Sequence, residues 1–470
     1  MPELHLIANV ATDVQDHAST VSRVLRSYFD TGTTKHLHWR LSQLDALEHL
    51  LREREDDILS ALRADLRKPE MEAYGSEIGS VLSEIRFTRK RLAAWMKPER
   101  VSTPVIAMPG RSVIHREPLG VVMVIAPWNY PFQTAVLPLV GAIAAGNCVV
   151  IKPSEVAPHT SALLARWIPQ YLDRDAIRVV EGGVPETTAL LREKWDHIFY
   201  TGNGTVGRIV LEAAAKHLTP VTLELGGKSP CIVDESADLD IAAQRIVLGK
   251  FFNAGQTCVA PDHVLVHESV HDALLNRLVS TVRELYGDDP QKSPDFARII
   301  DDRHHARLTR LLDGMNVATG GVTDASDLYI APTVLRDVTE TDPVMQEEIF
   351  GPILPVIAVP SVDAAIAFVN RRPKPLALYV FSQRKDAQER IIAGTSAGGT
   401  TINHVWLHLA VPGLPFGGVG ESGMGAYHGK HSFETFSHRR AVLKKPAIAD
   451  PPIATPPYAP WKLRWLKRLL

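Results

Sequence analysis

The spacing of hydrophobic residues predicts helices in the first part of the chain. Between residues 20 and 97, leucine and isoleucine recur every three or four positions, and charged residues such as Arg52 and Asp57 fall between them. That spacing places the apolar side chains on one face of a helix. Pro98 and Pro104 then interrupt the pattern. We therefore predict a helical region that ends near residue 97.

The next part of the chain alternates short apolar runs with helical patterns. The strand-like runs lie at residues 121–126, 148–152, 177–180, 197–200 and 221–225. A second alternating stretch extends from about residue 230 to about residue 400. Strands that alternate with helices form parallel sheets with helices on both faces. The predicted fold class is α/β, with two doubly wound α/β domains.

Charge and cysteine content narrow the class of protein. The 470 residues include 51 Lys and Arg and 53 Asp and Glu, so the formal net charge is −2. This balance gives no electrostatic reason to expect a nucleic-acid partner. Only three cysteines occur, which favours a reducing compartment over a disulfide-stabilised secreted protein. Because the first residues also lack the pattern of a secretory signal, we expect a cytoplasmic protein.

Residues 446–470 differ in composition from the rest of the chain. A proline-rich stretch is followed by the sequence WKLRWLKRLL at residues 461–470. On a helix, the tryptophans and leucines share one arc with Lys462, and the other basic residues share the opposite arc. Such a helix can lie on a membrane surface, or it can dock on its own protein or a partner subunit. Docking is the commoner use, and the residues alone leave both open.

A literal G-x-G-x-x-G motif occupies residues 202–207. It follows a predicted strand and begins a predicted helix, which is the context that a dinucleotide-binding turn requires. The glycines would let the backbone approach a pyrophosphate, and the helix N-terminus offers free N–H groups. Such a match is also common at tight strand-to-helix turns without a ligand. The same template would recruit Glu224 to a ribose.

Residues 267–271 spell H-E-x-x-H, the zinc motif of one class of proteases. That motif works only when both histidines lie one turn apart on the same helix. Here His267 ends an alternating strand pattern, and the helical pattern begins near Ser269. The two imidazoles should therefore lie on different elements. We predict no metal site here.

The three cysteines stand in different surroundings. Cys148 and Cys231 lie inside apolar strand patterns, where a cysteine is a small buried hydrophobic residue. Cys258 follows Gly255, Gln256 and Thr257, so its surroundings need not be apolar. By spacing alone, a catalytic role for Cys258 and a buried structural role both remain open.

Seven segments taken together resemble the aldehyde dehydrogenase superfamily. They appear in the family's order over about residues 110–440: APWNYP (126–131), KPSE (152–155), YTGNGTVG (200–207), LELGGKSP (223–230), GQTC (255–258), EEIFGP (347–352) and PFGGVGESGMG (415–425). The TGN of the third segment and the ending HGKHSFETFSH (428–438) are most similar to the class 3 branch. That branch includes fatty, aromatic and coniferyl-type aldehyde dehydrogenases.

The resemblance implies three residues for the reaction itself. Cys258 would be the nucleophile, because a thiolate attacks an aldehyde readily and also leaves readily. The Asn129 side chain and the Cys258 backbone N–H would stabilise the oxyanion. Glu224 would be the base that activates water to hydrolyse the thioester. This assignment replaces the ribose role that the glycine motif alone suggested for Glu224.

The resemblance also implies positions that bind a cofactor. Lys152 and Glu155 would hold the adenosine ribose, and Glu348 would hold the nicotinamide ribose. The full set comprises Trp128, Lys152, Ser154, Glu155, Gly202, Asn203, Gly207, Glu348 and Phe350. The Glu155 carboxylate should repel a 2′-phosphate and favour NAD, yet class 3 members often accept NADP. The cofactor is therefore NAD, with NADP as a second option.

The implied activity is the NAD(P)-dependent oxidation of a hydrophobic, long-chain or aromatic aldehyde to its carboxylic acid. Two alternatives are a CoA-acylating aldehyde dehydrogenase and a non-catalytic protein with the same fold. The presence of Glu224 disfavours the first, because the CoA-acylating branch does not need this base. A homodimer is implied, with strands near residues 111–116 and 439–444 joining the subunits, and membrane contact through the tail is a further option.

The implied divisions are 1–100 (helical part of the cofactor domain), 101–118 (oligomerisation strands), 119–226 (NAD(P)-binding, Rossmann-like), 227–405 (catalytic), 406–445 (return segment and oligomerisation strand) and 446–470 (linker and basic tail).

Overall fold

The computed structural model describes residues 2–448, 453 and 455–469. Its α-helices are α1 (Pro2–Asp30), α2 (Leu37–Glu53), α3 (Glu55–Leu66), α4 (Glu70–Ala73), α5 (Ser80–Trp95), α6 (Gln133–Ala145), α7 (Pro158–Tyr171), α8 (Val184–Arg192), α9 (Gly204–Ala215), α10 (Leu239–Phe251), α11 (His271–Tyr286), α12 (Asp302–Arg310), α13 (Val362–Asn370), α14 (Lys385–Gly394), α15 (Gly429–Thr435) and α16 (Pro460–Leu469). A π-helical segment, Tyr74–Gly79, joins α4 to α5. The predicted helical region is confirmed, although its first helix begins at Pro2, well before residue 20.

The strands are β1 (Glu99–Val101), β2 (Arg111–Pro118), β3 (Val121–Ile125), β4 (Cys148–Lys152), β5 (Ile177–Val179), β6 (His197–Gly202), β7 (Val221–Leu225), β8 (Pro230–Val233), β9 (His263–His267), β10 (Val317–Thr319), β11 (Thr323–Asp324), β12 (Tyr329–Ile330), β13 (Thr333–Leu335), β14 (Ile353–Val359), β15 (Ala377–Phe381), β16 (Gly399–Ile402), β17 (Gly423–Met424) and β18 (Ser437–Lys444). Five of them, β3 to β7, coincide with the five strand-like runs of the sequence. Those predictions are confirmed to within two residues at each end.

The first large sheet has the strand order β17-β7-β6-β3-β4-β5. Its strands run parallel, apart from the antiparallel β17 at one edge. Every residue of β3 and β4 is buried, because helices cover both faces of a parallel sheet. This double burial is the reason that both strands are continuous apolar runs. The apolar helix α6, which connects them, is buried on nearly all sides.

The second large sheet has the order β10-β13-β14-β9-β8-β15-β16. It is parallel except for β10. The two α/β sheets that the alternating patterns predict are therefore both present. They confirm the predicted fold class.

A third, smaller sheet joins distant parts of the chain. Strand β2 pairs antiparallel with β1 on one side and with all eight residues of β18 on the other. The strands predicted near residues 111–116 and 439–444 are thus neighbours in one sheet. Most of β18 is exposed, so its outer edge is available to another chain.

The tail forms the helix α16, but this helix does not bury its apolar arc on the described part of its own chain. Trp461, Leu463 and Trp465 remain 44%, 54% and 53% exposed. Lys462, on the same arc, is buried instead, and its Nζ donates to the carbonyl of Thr455 at 2.6 Å. The sequence left open whether this helix docks on its own protein, docks on a partner subunit or lies on a membrane. Docking of the apolar arc on the described part of its own chain is not observed. No helix among the described residues is long and apolar enough to cross a membrane.

Candidate active site

A cavity of about 1360 Å³ lies where the parallel strands of the first sheet end. The segments that follow β3, β4, β6 and β7 all contribute to its wall. Ligands of open α/β sheets bind at this edge, because the strand-to-helix turns and helix N-termini meet there. Cys258, Glu348 and Phe350 close the cavity from the other side. The folding of both sheets thus brings together residues that are more than 200 positions apart.

Cys258 is the one cysteine that lines this cavity among the described residues. Cys148 and Cys231 are fully buried in β4 and β8, whereas Cys258 is partly accessible. It follows a tight turn in which Asn253 has a φ of 54° and Gly255 has a φ of 74°. A Cβ on Gly255 would lie 2.3 Å from the carbonyl of Gly351. Glycine is therefore required where the chain turns toward the cavity.

The Cys258 thiol lies among carboxyl groups. Burial raises its pKa well above the ordinary value, and the neighbouring charges of Glu224 and Glu348 raise it further. The pKa favours the neutral thiol before a substrate arrives. A reaction at Cys258 needs a group that takes its proton.

Glu224 lies at the end of β7 beside this thiol. Its side chain is buried, and its Oε1 has no hydrogen-bond partner. Burial raises the pKa of Glu224 to about 7, although the neighbouring Cys258 and Thr201 side chains oppose the shift. A carboxyl group with this pKa exchanges a proton readily near neutral pH. The arrangement therefore offers a base within reach of the nucleophile.

Asn129 lies in the loop after β3 and is buried. Its Nδ2 donates to the carbonyl of Gln256 at 2.9 Å, which ties this loop to the turn before Cys258. A second link joins the hydroxyls of Tyr130 and Thr257 at 2.7 Å. The two loops thus form one hydrogen-bonded unit. The amide group of Asn129 is thus held beside the turn that leads to Cys258, where a donor for an oxyanion formed at that thiol would lie.

Lys152 ends β4, Ser154 and Glu155 follow it, and all three line the opposite end of the cavity. Lys152 is buried, and its Nζ donates to the carbonyl of Pro153 at 2.7 Å and to Glu155 at 3.3 Å. An ammonium group has three donors, so one N–H remains for a ligand. The Glu155 side chain is 49% exposed. This end of the cavity is more open than the end at Cys258.

Of the three cofactor-binding residues that the resemblance implies in the glycine turn, two line the cavity and one does not. Gly202 and Asn203 line the cavity wall. Asn203 also caps α9, because its side chain accepts from the backbone N–H of Val206 at 2.9 Å. Gly207 lies elsewhere: a Cβ there would be 3.0 Å from a methyl group of Leu225. Gly207 therefore allows α9 to pack closely on β7 and is not part of the wall.

Glu348, Phe350 and Trp128 also line the cavity wall. The rings of Trp128 and Phe350 meet edge to face with centroids 5.4 Å apart, and Trp128 also contacts His304 at 4.8 Å. Burial raises the pKa of Glu348 to about 8. A Cβ on Gly226 would lie 2.2 Å from Glu348 Oε2, so a glycine is needed to let this carboxyl group reach the cavity.

The cavity also contains residues that no sequence signal indicates. His304 and Arg307 come from α12, and Arg307 donates to the carbonyl of Ile349 at 2.7 Å. Glu84 accepts from the backbone N–H of Gly429 at 2.6 Å, and His428 has a buried Nε2 without a partner. Glu84, His304 and Arg307 lie outside the motifs. His428 begins the segment 428–438 that resembles the class 3 branch, but nothing in that segment marks it as a cavity residue. Only their position in the fold identifies them.

The H-E-x-x-H sequence is divided between elements, as its pattern predicts. His267 ends β9, residues Glu268–Val270 form a single 3₁₀ turn, and His271 begins α11. Among the described residues, no group of three or more His, Cys, Asp or Glu side chains is arranged to hold a metal ion.

Comparisons with known proteins agree with this geometry. A sequence model of the aldehyde dehydrogenase family matches residues 5–442. The chain is 54% identical over 426 residues to the dimeric NADP-preferring aldehyde dehydrogenase of Mus musculus, covering 91% of this chain and 94% of that protein. It is 52% identical over 450 residues to aldehyde dehydrogenase family 3 member A2 of Pongo abelii, with 95% and 93% covered.

A solved structure shows the same fold. The substrate-bound AldH of Staphylococcus aureus superimposes with a TM-score of 0.93 at 48% identity, covering 96% of this chain and 98% of that chain. The resemblance to the class 3 branch is confirmed by these relatives. The chain belongs to the aldehyde dehydrogenase family and is an oxidoreductase that acts on the aldehyde group.

Proposed function

We propose that Cys258, Asn129 and Glu224 oxidise an apolar aldehyde to its carboxylic acid, with NAD or NADP as the oxidant. One observation carries the assignment of roles. A buried carboxyl group with a pKa of about 7 lies beside the one cysteine that lines the cavity among the described residues. That pairing supplies both a nucleophile and the base that serves it.

The reaction begins at the sulfur atom. Cys258 gives up its proton, for which Glu224 is the adjacent acceptor, and its sulfur adds to the aldehyde carbon to form a thiohemiacetal. The negative charge then develops on the former carbonyl oxygen, where the Asn129 amide and the Cys258 backbone N–H donate hydrogen bonds. A bound nicotinamide supplies the acceptor for the hydride that leaves the carbon. The product on the enzyme is a thioester.

Hydrolysis of the thioester completes the cycle. Glu224 first releases the thiol proton to solvent and then accepts a proton from water. The resulting hydroxide adds to the acyl carbon, and the carbon–sulfur bond breaks. The carboxylic acid leaves and Cys258 returns as the thiolate. A CoA-acylating enzyme would use a thiol instead of water and would not need this base. The buried Glu224 therefore supports the hydrolytic reaction.

The residues present fit a dinucleotide. The cavity is larger than the roughly 300–1,000 Å³ that a single drug-sized ligand occupies. The N-terminus of α9 and the spare donor of Lys152 face it where a pyrophosphate and a ribose would bind. We assign Trp128, Lys152, Ser154, Glu155, Gly202, Asn203, Glu348 and Phe350 to this cofactor, with Gly207 as a packing residue. The Glu155 carboxylate favours NAD, whereas the mouse relative is named NADP-preferring.

Hydrophobic side chains dominate the walls near Cys258. They are Leu137, Phe252, Trp406, Leu409, Phe416 and Tyr427. Apolar walls favour apolar ligands, because both surfaces lose contact with water on binding. A long-chain or aromatic aldehyde fits such walls better than acetaldehyde does.

The reaction assignment is tested by reduced-cofactor absorbance. A panel of acetaldehyde, hexanal, dodecanal and benzaldehyde is offered with NAD or NADP, with and without CoA, to the wild type and to Cys258→Ala. We expect CoA-independent signal, strongest for the larger aldehydes, that vanishes in the variant. Strict dependence on CoA would support the acylating type, and silence across the panel would support a non-catalytic protein.

The small sheet supports a homodimer. In the described chain β18 pairs only with β2, so its second edge is unpaired and can extend the sheet across two subunits. The mouse relative is named dimeric. We accordingly assign residues 101–118 and 437–444 to oligomerisation, 119–226 with the preceding helices to the cofactor domain, and 227–405 to the catalytic domain. Light scattering after size-exclusion chromatography measures the state, and Leu443→Glu should shift it toward monomer.

The exposed arc of α16 supports contact with a membrane surface or a partner subunit. Its tryptophans are exposed, and basic residues lie on the other side of the helix. This is the composition of helices that bind anionic lipid interfaces. The double variant Trp461→Ser/Trp465→Ser should lose binding to anionic vesicles without losing activity on hexanal. Unchanged vesicle binding would exclude this role.

The free cysteines fit a cytoplasmic location.

A further inference from the structure

A lysine and a glutamate are buried together behind the loop that bears Asn129. Lys68 lies between α3 and α4, and Glu77 lies in the π-helical segment Tyr74–Gly79. Both side chains are fully shielded from solvent, and Lys68 Nζ is bonded to Glu77 Oε1. Neither residue belongs to a motif of the sequence. Neither lines the cavity wall.

Both members of the pair bind the backbone of the Asn129 loop. Lys68 Nζ donates to the carbonyl of Asn129 at 3.0 Å and lies 4.1 Å from the ring centre of Tyr130. Glu77 Oε2 accepts from the backbone N–H groups of Phe132 at 2.9 Å and Gln133 at 3.2 Å. The lysine thus holds the Asn129 carbonyl, and the glutamate holds the start of α6. The loop is anchored at both sites by charged groups.

The same carbonyl connects the pair to the nucleophile. Asn253 Nδ2 donates to the carbonyl of Asn129 at 2.9 Å and to that of Gln256 at 3.2 Å. The carbonyl of Gln256 also accepts from Asn129 Nδ2. Lys68 is therefore one hydrogen bond away from the residue that donates to the oxyanion. It is two bonds away from the turn that carries Cys258.

Stability alone is a poor reason for a buried ion pair. Removing two charges from water costs free energy that their attraction recovers only in part, and apolar replacements are often as stable. The positioning of a catalytic loop is a better reason to bury such a pair, because catalytic donors must be held within about 0.5 Å of the productive geometry. A charged pair with several backbone partners meets that requirement.

We propose that Lys68 and Glu77 are positioning residues for the oxyanion site and act through Asn129. The proposal rests on the function proposed above for Asn129. Without the lysine, the Asn129 carbonyl loses its charged donor, and the loop is free to shift relative to Cys258. The first half of the reaction, formation of the thioester, should slow, whereas binding of the cofactor should change little.

A double-mutant cycle tests the proposal. The variants are Lys68→Met, Asn129→Ala and their combination, and single-turnover kinetics with hexanal report thioester formation. Lys68→Met alone should lower that rate roughly 30- to 100-fold, since a shift of about 1 Å costs on this order. In the Asn129→Ala background the same change should lower it less than about threefold, because Lys68 then has no oxyanion donor to position. The Michaelis constant for NAD should stay within about twofold of the wild-type value.

A second ion pair, which is partly accessible to solvent, supplies the control. Lys228 is bonded to Asp262, and it donates to the carbonyls of Val344 at 3.0 Å and Glu347 at 2.8 Å. This pair holds the segment before Glu348, and among the described residues it makes no hydrogen bond or ion pair with the Asn129 loop. Lys228→Met should therefore raise the Michaelis constant for NAD. Its effect on thioester formation should be additive with that of Asn129→Ala.

Three outcomes are decisive. A large effect of Lys68→Met that disappears in the Asn129→Ala background supports the proposal. Equal effects in both backgrounds overturn it and leave the role of Asn129 intact. An unchanged rate in Asn129→Ala alone overturns the oxyanion assignment and the positioning role with it. If Lys68→Met fails to fold, the neutral pair Lys68→Met/Glu77→Gln replaces it, because it leaves no unpaired buried charge, and the same comparisons apply.

Discussion

The two ends of the cavity are built differently. At the reacting end, Asn129 and Glu224 are 5% and 2% exposed, and buried neighbours hold the loop that carries Asn129. At the end that we assign to the adenosine of the cofactor, the Glu155 side chain is 49% exposed, and Val184, which also lines the cavity, is 74% exposed. A buried network allows few changes without loss of geometry, whereas an exposed side chain can change alone. Reaction chemistry should therefore be hard to alter and cofactor choice easier.

The largest effect should come from the nucleophile. Cys258→Ala removes the atom that binds the substrate, and turnover should fall by roughly 10⁴-fold or more. Steady-state absorbance of reduced cofactor measures this loss. Cys231→Ala is the matched control, because that thiol is buried in β8 away from the cavity wall; it should lower the melting temperature and leave turnover within a few-fold. Equal activity in Cys258→Ala would mean that another residue is the nucleophile.

Removal of the base should separate the two halves of the reaction. Glu224→Gln keeps the shape of the side chain and cannot accept a proton, so turnover should fall roughly 10²- to 10⁴-fold. A single burst of reduced cofactor should remain in stopped-flow measurements, because hydride transfer precedes hydrolysis. The burst should be slower than in the wild type, since Glu224 also lies beside the thiol. Full turnover in this variant would contradict the assignment.

The pH dependence of turnover should follow from the protonation of Glu224. Burial raises the pKa of Glu224 to about 7, so the carboxyl group is protonated below that pH and cannot act as a base. The turnover number should therefore rise as pH increases from 6 to 8, with an apparent pKa near 7. A profile measured over that range with hexanal at saturation tests this. A turnover number that stays constant down to pH 5 would place the proton acceptor elsewhere.

The smallest effect should come from the open end. Glu155→Gln removes a carboxylate that repels a 2′-phosphate, so the preference for NADP over NAD should rise by roughly tenfold, which corresponds to about 1.4 kcal/mol. The ratio of kcat/KM values for the two cofactors measures the change. Glu389→Gln, at an exposed site on α14, is the control and should leave the ratio unchanged. If both variants give the same ratio, Glu155 does not select the cofactor.

The local sequence pattern was enough to predict the strands of the first sheet and the glycine turn that follows one of them. Strands β3 and β4 are buried on both faces, so each is rich in Val and Ile, and such stretches are visible without any knowledge of the fold. The glycine turn was identified by its place between β6 and α9. Its members differ in role, however, since Gly202 lines the cavity whereas Gly207 packs α9 on Leu225. Spacing alone does not separate these two uses of glycine.

The tail shows the opposite case. Its pattern correctly indicated an amphipathic helix, but the pattern could not say whether the apolar arc is covered. The apolar arc is exposed, whereas the side chain of Lys462 on the same arc is buried and donates to the carbonyl of Thr455. Burial of a helix face depends on which surfaces the rest of the chain presents to it, and those surfaces are not encoded in the helix.

The sequence by itself determined the fold class and the family resemblance, because strand periodicity and short motifs are local properties of the chain. Through that resemblance it also nominated Cys258, Asn129 and Glu224 as the reacting residues. Only the tertiary structure decided the protonation of Glu224, since its raised pKa comes from burial by distant elements. The contact of Lys68 with Asn129 is likewise a tertiary feature, joining positions 61 residues apart. Desolvation and hydrogen bonding act through space, and positions along the chain do not specify them until the helices and sheets have packed.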